Sequence, residues 1–584
     1  MKSFFKSVLA NIVAIIIVFS AFFFFFIIML VLGSLGDSKV KIKDDAVLTL
    51  SFKTDIIDSP TEDQEAFFIP DKNAPKKVLL YDVIEAVKKA KTDNKVKGIS
   101  IETDFINAGI TQLDDLRAAL EDFKKSGKFV YAYGNVVSQP AYYLGSVADK
   151  YYLNPTGAIE LKGLSTEVVF FKEFAEKYGI GIDVIRHGKF KAAVEPYLRN
   201  DISPENQEQL STLLNDIWKN TSNKIYTSRK IDSTQFKLFA DSLYGIIPEN
   251  NVKYKLADKL LQKSEYLDII KSKIGVAKDK ELNQISFQKY IKSFRDEKEG
   301  KDQVAVLYAS GAIYNGEGYQ GIFSEDFVKY IKDLKEDKDV KAVVLRINSP
   351  GGSANASDEI LFELQQLKKE KPLIVSFGDY AASGGYYIAM AADKIYSEPN
   401  TLTGSIGVFG MIYDLENVAN RNGIRSDVVK TNENSRYYSA LHGLTPGGKA
   451  MITKSVEGTY NRFVHWVTQN RKKSFAEIDS VGGGRVWSGV RAKQIGLVDE
   501  LGTLNNAVAF AAQKAKLKDY NVKAYPKKQS PFEQFFKDLE EDEISTRILK
   551  NKLGEDNYRT FEMFTNPKLS SPIIMETPYR ISIK

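Results

Sequence analysis

The chain has 584 residues, 43% of them hydrophobic and 27% charged, with 81 Lys+Arg against 75 Asp+Glu. That length exceeds one hydrophobic core and calls for two or more domains, and the interspersed, nearly balanced charge offers no basic footprint for nucleic acid. There is no cysteine, and the three histidines (His187, His442, His465) stand in no ligand spacing, so disulfides, thiolate catalysis and Cys-ligated metals are excluded and no metal or cofactor is expected.

No residue between Lys6 and Asp37 is charged, and Val8–Leu32 is almost wholly apolar, with five phenylalanines in a row from Phe22 to Phe26. These 25 residues, at ~1.5 Å each, reach roughly 37 Å, enough for a ~30 Å hydrocarbon core. The run is longer than a signal-peptide core, and Gly33-Ser-Leu-Gly36 is a weak cleavage site. Residues 1–36 are therefore expected to be a retained single-pass anchor with membrane lipid as its partner. Lys2 and Lys6 put its N-terminus in the cytoplasm and the bulk of the chain outside.

Ala46–Phe52 reads as a strand, as does Val304–Ala309. After the latter come an amphipathic helix over Phe327–Leu334, a buried strand over Ala342–Ile347, a helix over Ser357–Leu367 and a strand over Leu373–Phe377. Short apolar strands alternating with helices predict a helix-covered, mostly parallel sheet. Ser203–Arg229 and Thr445–Arg471 open on Ser-Pro and Thr-Pro, a cap followed by proline at the first helical position. Residues 277–302, rich in Lys, Asp and Glu, read as a linker. Residues 518–584 read as an irregular charged tail.

The two halves are diverged copies. At a constant offset of 244 they align without a gap from Val96/Val340 to Lys191/Ser435, matching Gly134/Gly378, Tyr142/Tyr386, Tyr143/Tyr387, Asp149/Asp393, Pro155/Pro399 and Gly163/Gly407. The repeats span 45–276 and 303–517. They have lost different chemistry: Gln139 stands where the second copy has Ser383, and Lys191 where it has Ser435. Complementary half-sites suggest one composite site.

Asn348-Ser-Pro-Gly-Gly-Ser353 follows a strand, and adjacent glycines leave backbone N–H groups free to stabilise an oxyanion. A plain turn is the competing reading. The first copy has Asp104-Phe-Ile-Asn-Ala108 there. Ser383 lies between a strand and a helix start, with Gly384 and Gly385 leaving its hydroxyl approachable; it reads as a nucleophile or as a simple cap. A lysine base would have to be neutral near pH 7, some 3 units below ~10.4, or about 4 kcal/mol. Lys191 is the candidate, Lys189 its rival, and a surface role the ordinary alternative for either.

Four motifs occur in order: Arg186-His-Gly-Lys-Phe-Lys-Ala-Ala-Val-Glu-Pro196, Ser349-Pro-Gly-Gly-Ser353, Ala381-Ala-Ser-Gly-Gly-Tyr-Tyr-Ile-Ala389 and Leu402-Thr-Gly-Ser-Ile-Gly-Val408. With Gly484–Gly502 they make the chain resemble the long form of the signal peptide peptidase A (protease IV) family. The resemblance implies tandem repeats of the Clp-protease/crotonase fold, a tetrameric assembly in a bacterial plasma membrane with the catalytic part outside, and apolar peptides such as cleaved signal peptides as substrates. Position by position it makes Ser383 the nucleophile, Lys191 the general base and Ser405 the serine bonded to the lysine amine. The first copy has Leu161 in place of Ser405. Gly352 and Gly384 are expected to supply the oxyanion N–H groups. His187 replaces a residue usually apolar in the family, and its role stays open. The competing readings are a crotonase-like acyl-CoA enzyme and a non-catalytic membrane scaffold.

Overall fold

The computed structural model describes residues 2–34, 41–51, 54–60, 76–294, 301–318, 321–527 and 574–576. Apolar strands assemble one mostly parallel sheet in each half. The first sheet runs, in spatial order, Lys259–Leu260, Lys150–Ile159, Phe129–Val137, Val96–Glu102, Ala46–Ser51 and Gln284–Ser286. The second runs Val486–Ser488, Leu402–Gly404, Leu373–Ala382, Val340–Ser349, Gln303–Ser310 and Asn521–Tyr525, with Lys394–Ser397 and Glu500–Leu501 beside it. Its centre is fully buried, from Val343, Leu345 and Ile347 to Val375 and Phe377, because the helices Ser324–Glu336, Ala354–Glu370 and Leu504–Lys514 cover it. This is a mostly parallel α/β architecture, as the alternation of elements predicts. The two long helices begin where their caps place them: Ser203 Oγ accepts from Asn206 N and Thr445 Oγ1 from Gly448 N, both at 3.1 Å.

A third sheet joins the halves. Its order is Ile322–Phe323, Ile313–Tyr314, Gly351–Ser353, Ile574–Glu576, Phe409–Asp414 and Gly181–Arg186. The last two pair antiparallel over six residues, from Phe409↔Arg186 to Asp414↔Gly181. A strand of the first repeat is thus bonded to a strand of the second.

Two segments, the linker and the tail, differ from expectation. The supposed linker folds onto the first sheet: Gln284–Ser286 adds a strand and Phe287–Phe294 a helix, which bury Ile285, Phe287, Tyr290 and Ile291. Four apolar residues at short spacing suffice for this, although lysines surround them. The tail is structured at two places: Asn521–Tyr525 pairs in parallel with Gln303–Leu307, and Ile574–Glu576 enters the third sheet. The predicted anchor is helical, as part of a helix over Lys2–Ser34. Its side chains are described at Lys6 and at residues 10–25, and among the described residues no helix is long and apolar enough to cross a membrane.

Two further contacts lock the repeats. Helix Pro204–Arg229 of the first holds the strand Val486–Ser488 of the second and the helix after it: Gln209 Oε1 accepts from Val486 N (2.7 Å), and Asp216 receives Arg491 and Ser488. At the start of helix Ile110–Lys124, Thr111 N and Oγ1 donate to Asp379 (2.9 Å each). Behind it lies a buried cluster of Asp58, Asp115, Arg346 and Glu398. Arg346 bonds Asp58 (3.0 Å), and its Nη2 is 4.0 Å from Asp115. Burial pushes the Asp115 carboxyl up to about 6, against the opposing pull of Arg346, and raises Glu398 well above the usual carboxylate range. Two ionised carboxylates could only accept, which would leave both Asp115 oxygens unpartnered. One proton shared with Glu398 relieves that.

A raised folded-state pKa stabilises the fold below the unfolded value and loses that contribution as pH climbs through the folded one. We therefore expect Asp115→Asn to gain stability relative to wild type between pH ~4 and ~6, on the order of 2 kcal/mol. Denaturant unfolding across that range measures it; parallel pH profiles would contradict it.

Candidate active site

The strand Leu373–Ala382 delivers Ser383 to the start of helix Gly384–Ile388. The residue takes φ 55° and ψ −117°, a left-handed conformation disfavoured for a residue with a Cβ and held only when the surroundings fix it. Here Ser383 N donates to Gly404 O and Ser383 O accepts from Tyr387 N, both at 2.8 Å. The side chain does not cap the helix. Its hydroxyl instead points at Lys191 Nζ, 2.9 Å away, with Gly407 O at 3.4 Å.

Lys191 arrives from the other repeat. The strand Gly181–Arg186 runs along Phe409–Asp414, the chain turns at Gly188 (φ 90°), and Arg186 Nη1 donates to Lys191 O (3.2 Å). The turn rests on the loop 482–484: Phe190 N donates to Gly483 O, and a Cβ on Gly188 would lie 2.3 Å from that oxygen. The lysine stem passes between two glycines. A Cβ on Gly484 would meet Lys191 Cβ at 2.6 Å, and one on Gly407 would lie 3.3 Å from its Cδ. Both Lys191 and Ser383 are 0% exposed. Nζ also lies 3.1 Å from Ser405 Oγ and 3.4 Å from Ser405 O. Ser405 itself adopts φ 49° and donates its N–H to Arg485 O at 2.7 Å.

The structure therefore brings Ser383, Lys191 and Ser405 to one point. Lys189 is exposed, with its amine 5.4 Å from the Phe190 ring. His187 stacks on Tyr460 with ring centroids 3.7 Å apart. Ser435, aligned with Lys191 in sequence, lies in an exposed turn. Gly352 and Gly384 sit beside the serine: a Cβ on Gly384 would be 3.2 Å from Gly352 N, and one on Gly352 would be 2.1 Å from Ile313 O. A side chain on Gly352 would displace backbone, and one on Gly384 would first meet the Ser357 hydroxyl at 2.7 Å. Gly407 and Gly484 are site residues that reasoning from sequence did not single out, since a glycine that packs on a lysine stem looks like any other.

The first repeat shows what its serine position has become. Gln139 Nε2 donates to Gly163 O, and its Oε1 accepts from Lys162 N and Gly163 N, all at 3.0 Å. An amide pins the loop that corresponds to Ser405–Gly407. No hydroxyl is left there to react.

An alcohol within hydrogen-bond reach of a buried amine, next to clustered backbone N–H groups, is equipped for acyl transfer. Comparison with known proteins agrees. The pattern of peptidase family S49 matches residues 122–276 and 365–518, and that of Clp protease matches residues 295–405. Protease 4 of Salmonella typhi is 36% identical over 456 residues, covering 76% of this chain and 74% of that protein. Protease 4 of Haemophilus influenzae is 35% identical, with 76% and 74% covered. Serine protease SPPA of Arabidopsis thaliana chloroplasts is 33% identical, with 74% and 64% covered. The chain belongs to peptidase family S49, in the long two-repeat form of signal peptide peptidase A, and is a serine peptidase on a Clp-protease-like fold.

Proposed function

We propose that the chain is a membrane-anchored endopeptidase that cleaves extended apolar peptides, such as signal peptides left after processing, with Ser383 as nucleophile and Lys191 as general base. The observation that carries this reading is the 2.9 Å approach of two fully buried side chains 192 residues apart. Removal from water favours the uncharged amine, and the Ser383 and Ser405 oxygens within its reach are uncharged. The neutral amine takes the Ser383 proton as Oγ attacks the peptide carbonyl. The N–H groups of Gly352 and Gly384 hold the oxyanion, and the amine returns the proton to the leaving nitrogen. Water, activated by the same amine, then hydrolyses the acyl-serine. Ser405 orients Nζ. The apolar run Val8–Leu32 places the cleft near a bilayer whose acyl chains carry the substrate, with the body on the extracytoplasmic face.

The repeat also supports assembly, and we read the chain as a homotetramer. At the offset of 244, the paired strands 181–186 and 409–414 correspond to 425–430 and 165–170. Neither of these is in a strand, and they leave Val169 at 58%, Val428 at 42% and Val429 fully exposed. A second copy's 425–430 pairing with 165–170 would repeat the internal joint head to tail, and such joints form a ring when the rotation between copies closes.

Ser383→Ala and Lys191→Ala are each expected to lower kcat on a peptide ester by about 10³-fold or more. Ser405→Ala should lower kcat about 10-fold or more with little change in KM. Retained activity in either of the first two variants would reject the dyad. Val429→Asp should shift the protein toward monomer in sedimentation velocity; an unchanged sedimentation coefficient would remove the head-to-tail joint.

A further inference from the structure

The motif that carries Lys191 also carries a charge that the reaction does not use. Glu195, one helical turn after the lysine, is 1% exposed. Its carboxylate accepts from Ser203 Oγ (2.5 Å) and from Asn206 Nδ2 (3.0 Å). Both partners are neutral side chains and are themselves buried. A dry carboxylate held by two neutral donors is costly. The start of helix Pro204–Arg229 offsets part of that cost, because Ser203 is its cap and Asn206 lies in its first turn.

The place of this contact gives it a use. Ala192–Val194 form a single 3-10 turn between Lys191 and Glu195, with Ala192 and Val194 buried. At ~2 Å rise per residue the clamp acts about 8 Å from the lysine Cα. Upstream, Arg186 and the loop 482–484 fix the lysine turn, and Gly407 and Gly484 flank its stem. Downstream, the chain is fixed by Glu195 and by Pro196 O, which accepts from Phe171 N at 2.6 Å. The helix that receives Glu195 also receives the other side of the site. Its Glu208 takes Arg485 and its Gln209 takes Val486 N, both at 2.7 Å. Arg485 O in turn holds Ser405 N, and the Arg485 guanidinium lies 4.7 Å from the Phe190 ring, next to the lysine. One helix thus references both the turn of the amine and the serine that faces it.

We propose that Glu195 is a positioning residue, which through its hydrogen bonds and not its charge keeps the Lys191 amine dry and aimed at Ser383. This deepens the Ser/Lys reading above and rests on it. A negative charge near an amine favours the protonated form, so charge is no benefit to a lysine base. Geometry is: a stem that swings out from between Gly407 and Gly484 admits water, and a wetter amine keeps its proton to higher pH.

The pH dependence of peptide-ester hydrolysis by the full chain tests this. A lysine base makes kcat/KM rise with pH as the amine loses its proton. Glu195→Ala and Ser203→Ala break the clamp from its two sides. Each is expected to lower kcat about 10-fold or more with KM changed less than about 2-fold. Each should also move the rising limb up by about 0.5 pH unit or more. The double variant is expected to be no worse than the more damaged single one, since both remove one contact. Glu195→Gln, whose amide meets both partners once Asn206 turns its own amide over, should keep the wild-type limb and kcat. The position of the limb does not depend on how much of a sample is folded. Rate lost with the limb unmoved is therefore lost folding and overturns the proposal. Glu195→Gln as damaged as Glu195→Ala assigns the role to charge and overturns it, and so does an additive double variant. Lys191→Ala that keeps wild-type rate and limb overturns the dyad on which the proposal rests.

Discussion

A lysine amine with no access to water stands 2.9 Å from a serine hydroxyl that is equally dry. Neither repeat can make this contact alone, because the first has no serine at its turn and the second has no lysine. Much of the architecture serves to hold it. The strand Gly181–Arg186 of the first repeat pairs with Phe409–Asp414 of the second. Helix Pro204–Arg229 grips the loop that carries Arg485, Gly484 and Gly483. That loop in turn supports Ser405 through Arg485 O and the lysine stem through Gly484. Each link uses backbone or buried polar atoms, so a shift of one repeat against the other would leave such groups unsatisfied.

Duplication gave both copies the same turn after the third strand of the sheet, and divergence then closed one of them. Gln139 satisfies the loop at Lys162 and Gly163 with three hydrogen bonds. At the matching place Ser383 is held by its backbone in a left-handed conformation, and its hydroxyl is turned toward the amine. Strain at Ser383 and Ser405 occurs among closely packed glycine backbones. It fits a site whose geometry is set before substrate arrives.

Much of this was legible in the sequence, for identifiable reasons. Strands such as Val340–Ser349 carry a short apolar run, Ala342–Leu345, and Ser203-Pro204 and Thr445-Pro446 mark helix starts locally, so neither needed tertiary knowledge. Ser383 and Lys191 emerged from the mismatch between repeats, and the family resemblance carried by the ordered motifs gave their roles and added Ser405. The pairing of 181–186 with 409–414 was not legible, because edge pairing depends on which strands meet in space. At the same offset Lys191 falls on Ser435, an exposed turn residue, so alignment located the lysine without showing how it reaches the site. Ile574–Glu576 was hidden for a similar reason: three residues in a charged, proline-containing tail carry no period, and they form a strand only because two edges wait for them. The linker failed differently, since its lysines masked the few apolar residues that bury.

Mapping a fluorophosphonate adduct by peptide mass, in the wild type and in Lys191→Ala, tests most directly whether the amine activates the alcohol. The account predicts one labelled peptide carrying the adduct on Ser383, and labelling slowed by at least about 10²-fold without the lysine. Equal labelling rates in the two proteins, or an adduct on any other residue, would contradict it.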